Sequence, residues 1–298
     1  MTDITLLDGS IGQELVKRSG DPATPLWSTQ VMIDHPALVA AVHADYFAAG
    51  ATIASTNTYA TYESRLEKVG LGDRVDELIA TALDQAETAR TAHGSGRIAG
   101  VIGPLLASYR PDLVVPPEDA AARFGARAAR LVPRVDLLLA ETVSSLNEAE
   151  GALRGGTGHG KPFWIAFTVE DHDGTRLRSG EPLSDVLALI AAYRPDAVLI
   201  NCTRPEAIAA ALPILAQSGL PFGAYANGFV EVSEEFKADM PTVDALQNRT
   251  DLTPAAYADM AMGWVGQGAT IIGGCCEVGP DHIAEIARRL RRAGHAIV

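Results

Sequence analysis

Residues 268–290 read GATIIGGCCEVGPDHIAEIARRL. The apolar run at 270–274, closed by two glycines, reads as a buried strand. Pro280 suits a first helical position, and the apolar spacing over 280–292 has a helical period. This is one strand feeding one helix. Working back toward the N-terminus, seven further short runs rich in Ile, Val and Leu stand at 4–8, 51–57, 98–103, 137–142, 163–168, 197–202 and 221–226. They are near-continuous and do not alternate, the pattern of a parallel sheet covered on both faces. Between them lie helical periods at 36–49, 74–91, 120–131, 146–153, 184–193, 205–215 and 253–267. Ser184 and Asp185 precede one of these, and Thr253-Pro254 offers another a cap followed by a first-turn proline. Eight strand–helix alternations predict a (β/α)8 barrel. The rival is a doubly wound open sheet, but no glycine-rich dinucleotide fingerprint follows the first strand. A chain of 298 residues is expected to form this barrel as one domain over 1–298.

Lys and Arg number 24 against 37 Asp and Glu, a formal charge of −13. Phosphate-directed nucleic-acid binding wants a basic excess, so that role is excluded. No run approaches the ~18 apolar residues of a membrane span, and residues 1–4 carry no basic leader, so the expected compartment is the cytoplasm. Three cysteines form no disulfide framework. Two long connections, 108–118 (SYRPDLVVPPE) and 228–252, read as loops over a site.

In such a barrel the chemistry gathers where strands run into βα loops. The strand ends carry Asp8, then Thr56, Asn57 and Tyr59, then Glu141-Thr142, Thr168, Asn201-Cys202, Tyr225, and Gly273-Gly274-Cys275-Cys276. All three cysteines therefore fall at strand ends. Three thiolates converging on one point make a soft site whose expected occupant is zinc, with a fourth position open to substrate. Glycines 273 and 274 would let the backbone bend so that both adjacent thiols turn inward. The bland alternative is that cysteines are small buried hydrophobes. Asp8 and Glu141 could bind an ammonium group or work as an acid–base pair. Equally, they could be strand-end acids paired with loop amides. Thr56, with backbone amides near Gly9 and Ser10, could hold a carboxylate.

DGSIGQEL (8–15), TNTY (56–59), AET (140–142), INC (200–202) and GGCCEVGPDHI (273–283) occur in this order. With them the sequence resembles the homocysteine S-methyltransferases over almost its whole length. These are zinc-dependent barrel enzymes. The resemblance implies zinc on Cys202, Cys275 and Cys276, the homocysteine ammonium on Asp8 and Glu141, and Thr56 beside the bound amino acid. Trp27, in PLWSTQVMIDHP (25–36), falls where betaine-type members place a tryptophan by the donor's cationic head. Tyr59, Tyr109 and Phe229 are further candidates for that aromatic wall, which suits an onium ion. The implied chemistry is attack by the zinc-bound substrate thiolate, with no further catalytic residue. There are departures from the family pattern: Asp8-Gly9-Ser10 in place of Asp-Gly-Gly, Thr142 where betaine-type members have tyrosine, and YANGF at 225–229. They bear on the donor and leave the zinc site intact.

By its length the chain is expected to carry neither cobalamin- or folate-binding domains nor the long C-terminal extension of betaine-type members. S-methylmethionine is therefore the preferred donor, with S-adenosylmethionine, betaine and dimethylsulfoniopropionate still open. The expected partners are homocysteine and a small onium donor, with neither nucleic acid nor membrane; an oligomer is compatible with the sequence. Two rival readings are a barrel hydrolase using Asp8 and Glu141, and a non-catalytic zinc- or thiol-binding barrel. His43 and His93 read as packing or surface residues, His282 as a cap or packing residue of the last helix, and Glu231, Glu234 and Glu235 as a solvated loop face.

Overall fold

Strands and helices alternate along the chain as β1 Asp3–Leu6, β2 Ile53–Ser55, β3 Arg97–Ile102, β4 Leu137–Val143, β5 Phe163–Phe167, β6 Ala197–Asn201, β7 Phe222–Ala226 and β8 Ile271–Gly274, with a short β9 at Ala296–Ile297. The computed structural model describes residues 2–113 and 115–298; Val114, in the 108–118 connection, lies outside the described residues. All strand pairs are parallel, in the order β2-β3-β4-β5-β6-β7-β8-β1. A parallel bridge from Leu7 to Ile53, with Thr52 N–H donating to the Leu6 carbonyl at 2.8 Å, joins the two ends of that order. The sheet thus curls into the expected (β/α)8 barrel. β9 adds to β1 through Asp3–Ala296 and Ile4–Ile297.

The helices are α1 Ile11–Ser19, α2 Ser28–Asp34, α3 Pro36–Ala49, α4 Glu63–Leu66, α5 Val75–His93, α6 Pro117–Leu131, α7 Leu146–Gly156, α8 Val186–Tyr193, α9 Pro205–Leu215, α10 Pro254–Gly266 and α11 Pro280–Arg292. Eight of them answer the eight helical periods. The periodicity did not indicate α1, α2 and α4, which are too short to show a clear period, with 9, 7 and 4 residues. They are spliced into the first two βα connections, where residues of α1 and α4, and Trp27 just before α2, line the barrel mouth. Cap chemistry sets the ends of several helices. Ser10 accepts from Gln13 N–H at the start of α1, Ser145 from Glu148 N–H at α7, and Thr253 from Ala256 N–H at α10.

Two apolar layers hold the barrel. Inside it, Leu7, Ile53, Leu137, Leu139, Trp164, Leu199 and Ile271 interdigitate. Outside it, the alternate strand residues, such as Ile98, Leu138, Ile165, Val198 and Ile200, meet the helices. Strand residues are therefore buried on both faces, which is why the runs read as continuous. Among the described residues no helix is long and apolar enough to cross a membrane. His43 is fully buried in α3, and His93 stacks on Phe47 with ring centroids 5.2 Å apart. His282 caps α11, accepting from Gly279 N–H and meeting the Leu252 carbonyl at 3.0 Å. Glu231, Glu234 and Glu235 are exposed.

Candidate active site

A cavity of about 530 Å³ opens at the C-terminal end of the strands. Residues on or directly after β1, β2, β3, β4, β6, β7 and β8 line its floor, and both long connections line its mouth, through Tyr109, Arg110 and Leu113 on one side and residues between Phe229 and Leu246 on the other.

The three cysteines meet in this cavity. Their sulfurs all lie within 4.8 Å of one another, and Cys202 Sγ is 3.9 Å from Cys276 Sγ. Tetrahedral zinc with Zn–S bonds of ~2.3 Å places its sulfurs ~3.8 Å apart, so the donor set fits a metal of that kind. Cys202 is buried, while Cys275 and Cys276 face the cavity more openly. Hydrogen bonds from the Cys275 and Cys276 thiols hold the Cys202 thiol well below its ordinary pKa, helped by the Tyr109 hydroxyl. Cys275 and Cys276 are themselves pushed up. Gly273 and Gly274 do not act by bending the chain, since neither adopts a positive φ. Gly274 is required by close approach: a Cβ there would lie 2.2 Å from Val278 Cγ1. The left-handed residue that turns the chain is Glu277, at φ 66°.

Asp8 and Glu141 also face the cavity. Asp8 accepts from Ser55 N–H at 2.6 Å and from Ser55 Oγ at 2.7 Å. Burial pushes its carboxyl up to about 7, against the pull of those two donors. Glu141 accepts from the Tyr225 hydroxyl at 2.9 Å. Burial pushes it up to about 8, reinforced by the negative charge of Cys202 and opposed by the Tyr225 hydrogen bond. Glu141 sits where the β4–β5 register shifts, between Ala140 and Val143. Such an irregularity re-aims a strand side chain. Thr142 beside it is left-handed, at φ 64°, and is clamped by Asn201, whose Oδ1 accepts from Thr142 N–H at 2.8 Å and whose Nδ2 donates to Thr142 Oγ1 at 3.0 Å.

Thr56 lines the cavity, but its hydroxyl accepts from Val101 N–H at 3.0 Å and pairs with Thr58 Oγ1 at 2.8 Å. The Ser10 amide donates to the Val278 carbonyl at 3.0 Å and is not free for a carboxylate. Trp27 lies over Gly12, where a Cβ would fall 2.1 Å from the indole ring. Its Nε1 donates to Gln13 Oε1 at 2.7 Å, and Gln13 Nε2 donates to Glu277 at 2.6 Å, tying the indole to the turn beside Cys276. Tyr59 meets Trp27 edge-on, centroids 6.2 Å apart, and bonds Ser108 Oγ at 2.7 Å. Tyr109 packs against Cys202 and Phe236, nearer the sulfurs than the Trp27–Tyr59 corner. Phe229 lines the cavity from the other long loop.

Sequence reasoning missed one buried unit. Arg178 grips Asp171 with two hydrogen bonds, of 2.9 and 2.8 Å, and Asp171 also accepts from Val232 N–H and Arg204 N–H. Burial pushes Asp171 up, but the Arg178 guanidinium outweighs it and holds the carboxyl below its usual range. Arg178 further donates to the Cys202 carbonyl at 3.3 Å and lies 5.2 Å from the Tyr109 ring centroid. One ion pair thus joins the loops after β5, β6 and β7 around Cys202. An Asp and an Arg 7 residues apart carry no motif, so no local signal points to them.

A closed parallel barrel with three thiols gathered at its mouth defines a (β/α)8 protein whose cysteines could hold a metal ion. Residues 5–290 match the family model described as homocysteine S-methyltransferase. The homocysteine S-methyltransferase of Escherichia coli is 33% identical over 96% of this chain and 95% of its own length. Homocysteine S-methyltransferase YbgG of Bacillus subtilis is 28% identical over 95% and 93%. The crystal structure of the homocysteine methyltransferase MmuM from Escherichia coli, in its metallated form, superposes with a TM-score of 0.80 at 31% identity, covering 97% of this chain and 96% of that one. The chain belongs to the homocysteine S-methyltransferase family and is an enzyme of methyl transfer to that thiol. The hydrolase and non-catalytic readings give way to this assignment.

Proposed function

We propose that the enzyme moves a methyl group from an onium donor, with S-methylmethionine preferred, to homocysteine, giving methionine, and that zinc on Cys202, Cys275 and Cys276 is its cofactor. The observation that carries the metal reading is the sulfur spacing of 3.9 Å at the cavity floor. A zinc ion held by these three thiols would supply the Lewis acidity that keeps the substrate sulfur deprotonated at neutral pH, where a free thiol of pKa ~8.5 is mostly protonated.

The chain's own residues do the rest. Asp8 and Glu141 supply the counter-charge for the substrate ammonium, whose arrival compensates two carboxyls that burial otherwise pushes up. Thr56 stands beside the bound amino acid as a wall residue. The Trp27–Tyr59 corner receives the onium head, a contact worth ~0.5–2 kcal/mol. Nucleophile and donor then share one cavity, which supplies the proximity term. In the transfer the substrate sulfur forms a bond to the methyl carbon as the donor's onium–methyl bond breaks, and the electron pair stays with the leaving donor atom. The substrate's thiol proton is released to solvent on binding, before the transfer. Three unpaired thiols at the site call for a reducing compartment, which supports the cytoplasm.

The test is a donor panel. S-methylmethionine, S-adenosylmethionine, betaine and dimethylsulfoniopropionate are each incubated with homocysteine and zinc-loaded enzyme, and methionine is measured. The highest kcat/KM is expected with S-methylmethionine. A faster rate with another donor overturns the donor preference, and methionine from none overturns the function.

A further inference from the structure

Cations gather on one side of the cavity mouth, where Arg65, Lys68 and Arg110 all line the wall. Two of them are paired. Lys68 meets Asp239 across the mouth, and Arg110 chelates Asp112 through Nε and Nη2 at 2.7 and 2.6 Å. Among the described residues, no hydrogen bond or ion pair engages the Arg65 guanidinium. Its electrostatic neighbours are the phenols of Tyr59 and Tyr62, with no carboxylate among them. Both phenols are already committed, Tyr59 to Ser108 Oγ and Tyr62 to the Gly103 carbonyl.

The contrast with Arg127 is instructive. Arg127 is also withdrawn from water and lies over the Tyr62 ring, but it is held by the Thr58 and Thr61 carbonyls and the Thr61 hydroxyl. Both of its Nη atoms are engaged while its Nε is not, and it serves as a structural cation. Arg65 is partly buried, faces the cavity and has none of this. A charge partly withdrawn from water and without a partner carries a cost, and a protein with 37 acids and 24 bases has acids to spare for pairing it. Desolvation lowers the Arg65 pKa, the direction expected for a cation that burial disfavours.

We infer that Arg65 is the anion-recognising residue of the donor end of the cavity, and that it selects methyl donors carrying a carboxylate over onium ions that lack one. The assignment rests on the methyl-transfer reading above and deepens it. Arg65 lies beside Tyr59, and Tyr59 forms the aromatic corner with Trp27. A guanidinium there repels a plain cation, whereas a donor with its own carboxylate brings the missing counter-charge. The pair of features, aromatic corner and lone guanidinium, is complementary to an onium carboxylate zwitterion. Planar guanidinium also suits a carboxylate by geometry, through two parallel hydrogen bonds.

The homocysteine carboxylate is the other possible source of this anion, and the test separates the two. S-methylmethionine and its amide, and betaine and its amide, are titrated into wild-type enzyme and into Arg65→Gln and Arg65→Lys, with binding followed by tryptophan fluorescence and by calorimetry. Each acid and amide differ only at the carboxyl group. Wild type is expected to bind at least one acid roughly tenfold to hundredfold more tightly than its amide, the range for a lost charge-assisted hydrogen bond. Arg65→Gln is expected to bind acid and amide alike, Arg65→Lys to recover part of the preference, and homocysteine affinity to stay unchanged in all three. In turnover the loss falls on the donor KM. Retained acid preference in a folded Arg65→Gln enzyme overturns the assignment. So does a rise in the homocysteine Kd, which would give Arg65 to the other substrate, or a wild type that binds neither acid. If betaine binds and S-methylmethionine does not, only the donor preference proposed above fails and Arg65 is tested on the betaine pair.

Discussion

The inside of the barrel and its rim are built on opposite principles. Below the site, Leu7, Ile53, Leu139, Trp164 and Leu199 pack as ordinary strand residues. At the rim, Trp27, Tyr109, Thr142, Cys202 and Met240 all line the cavity, and all have positive φ, between 49° and 64°. Glu277, at 66°, follows Cys276 directly. Among the described residues seven non-glycine residues have positive φ, and of these only Arg194, at the end of α8, lies away from the site. Such conformations cost ~1–3 kcal/mol each and persist only where surrounding contacts over-determine them. Here those contacts are visible: Asn201 clamps Thr142, Gln13 holds Trp27, and Arg178 braces Cys202. The packed interior stabilises the strands, and the rim spends stability on aim.

That contrast can be broken most severely at Cys202. Cys202→Ala should fold normally yet retain under a tenth of an equivalent of zinc and lose methyl transfer, because two adjacent thiols on one turn do not complete the site. Elemental analysis, a thermal melt and a turnover assay read the three arms. Full turnover in this variant would sink the sulfur-on-metal mechanism. One layer lower the effects should reverse. Leu199→Ala, at a fully buried position, should cost ~2–5 kcal/mol in urea unfolding, with homocysteine affinity in the folded enzyme unchanged. A large affinity loss there would show that interior and rim are not separable.

Asn201 lies on the boundary, so Asn201→Ala should register on both scales. Freeing Thr142 should cost ~1–3 kcal/mol of stability and weaken homocysteine binding by loosening Glu141. A stability loss with unchanged affinity would return Asn201 to a purely structural role. The smallest effect is expected at Glu148, buried at the start of α7, where it accepts from Ser144 N–H and Oγ at 2.8 and 3.0 Å. Burial pushes its carboxyl up to about 7, against those two donors. A raised acid keeps its proton in the folded state after the unfolded chain has released it. Its contribution to stability therefore falls as pH rises from the ordinary carboxyl range to about 7, and is level above that. Glu148→Gln removes this slope. Urea unfolding at pH 5 and pH 8 should show the variant gaining on the wild type at the higher pH, by at most ~3 kcal/mol. Parallel curves would mean that Glu148 titrates normally.

Much of the barrel was legible because strands buried on two faces leave continuous apolar runs. The helix count fell short at α1, α2 and α4, since 4–9 residues carry too little period to separate from a loop. The thiol cluster was legible as residue type and strand-end position. The role of its glycines was not, because the contact that Gly274 makes with Val278 depends on how the turn folds back. Thr56 and Ser10 show the same limit, since their hydrogen bonds go to the partners Val101 and Val278, which no local pattern names.

The order of strands and helices, the strand-end positions of Asp8, Glu141, Cys202, Cys275 and Cys276, and the acidic balance follow from the sequence alone, because each is a local property of the chain. Only the tertiary structure decided that sulfurs 74 residues apart stand 3.9 Å from each other, and that Asp171 and Arg178 brace three loops at once. It also left the Arg65 guanidinium without a partner at the cavity wall, while both Nη atoms of Arg127 are held by threonine carbonyls. Which charges meet, and which are left waiting, depends on barrel closure and loop packing, and those bring together residues whose separation along the chain carries no record of the contact.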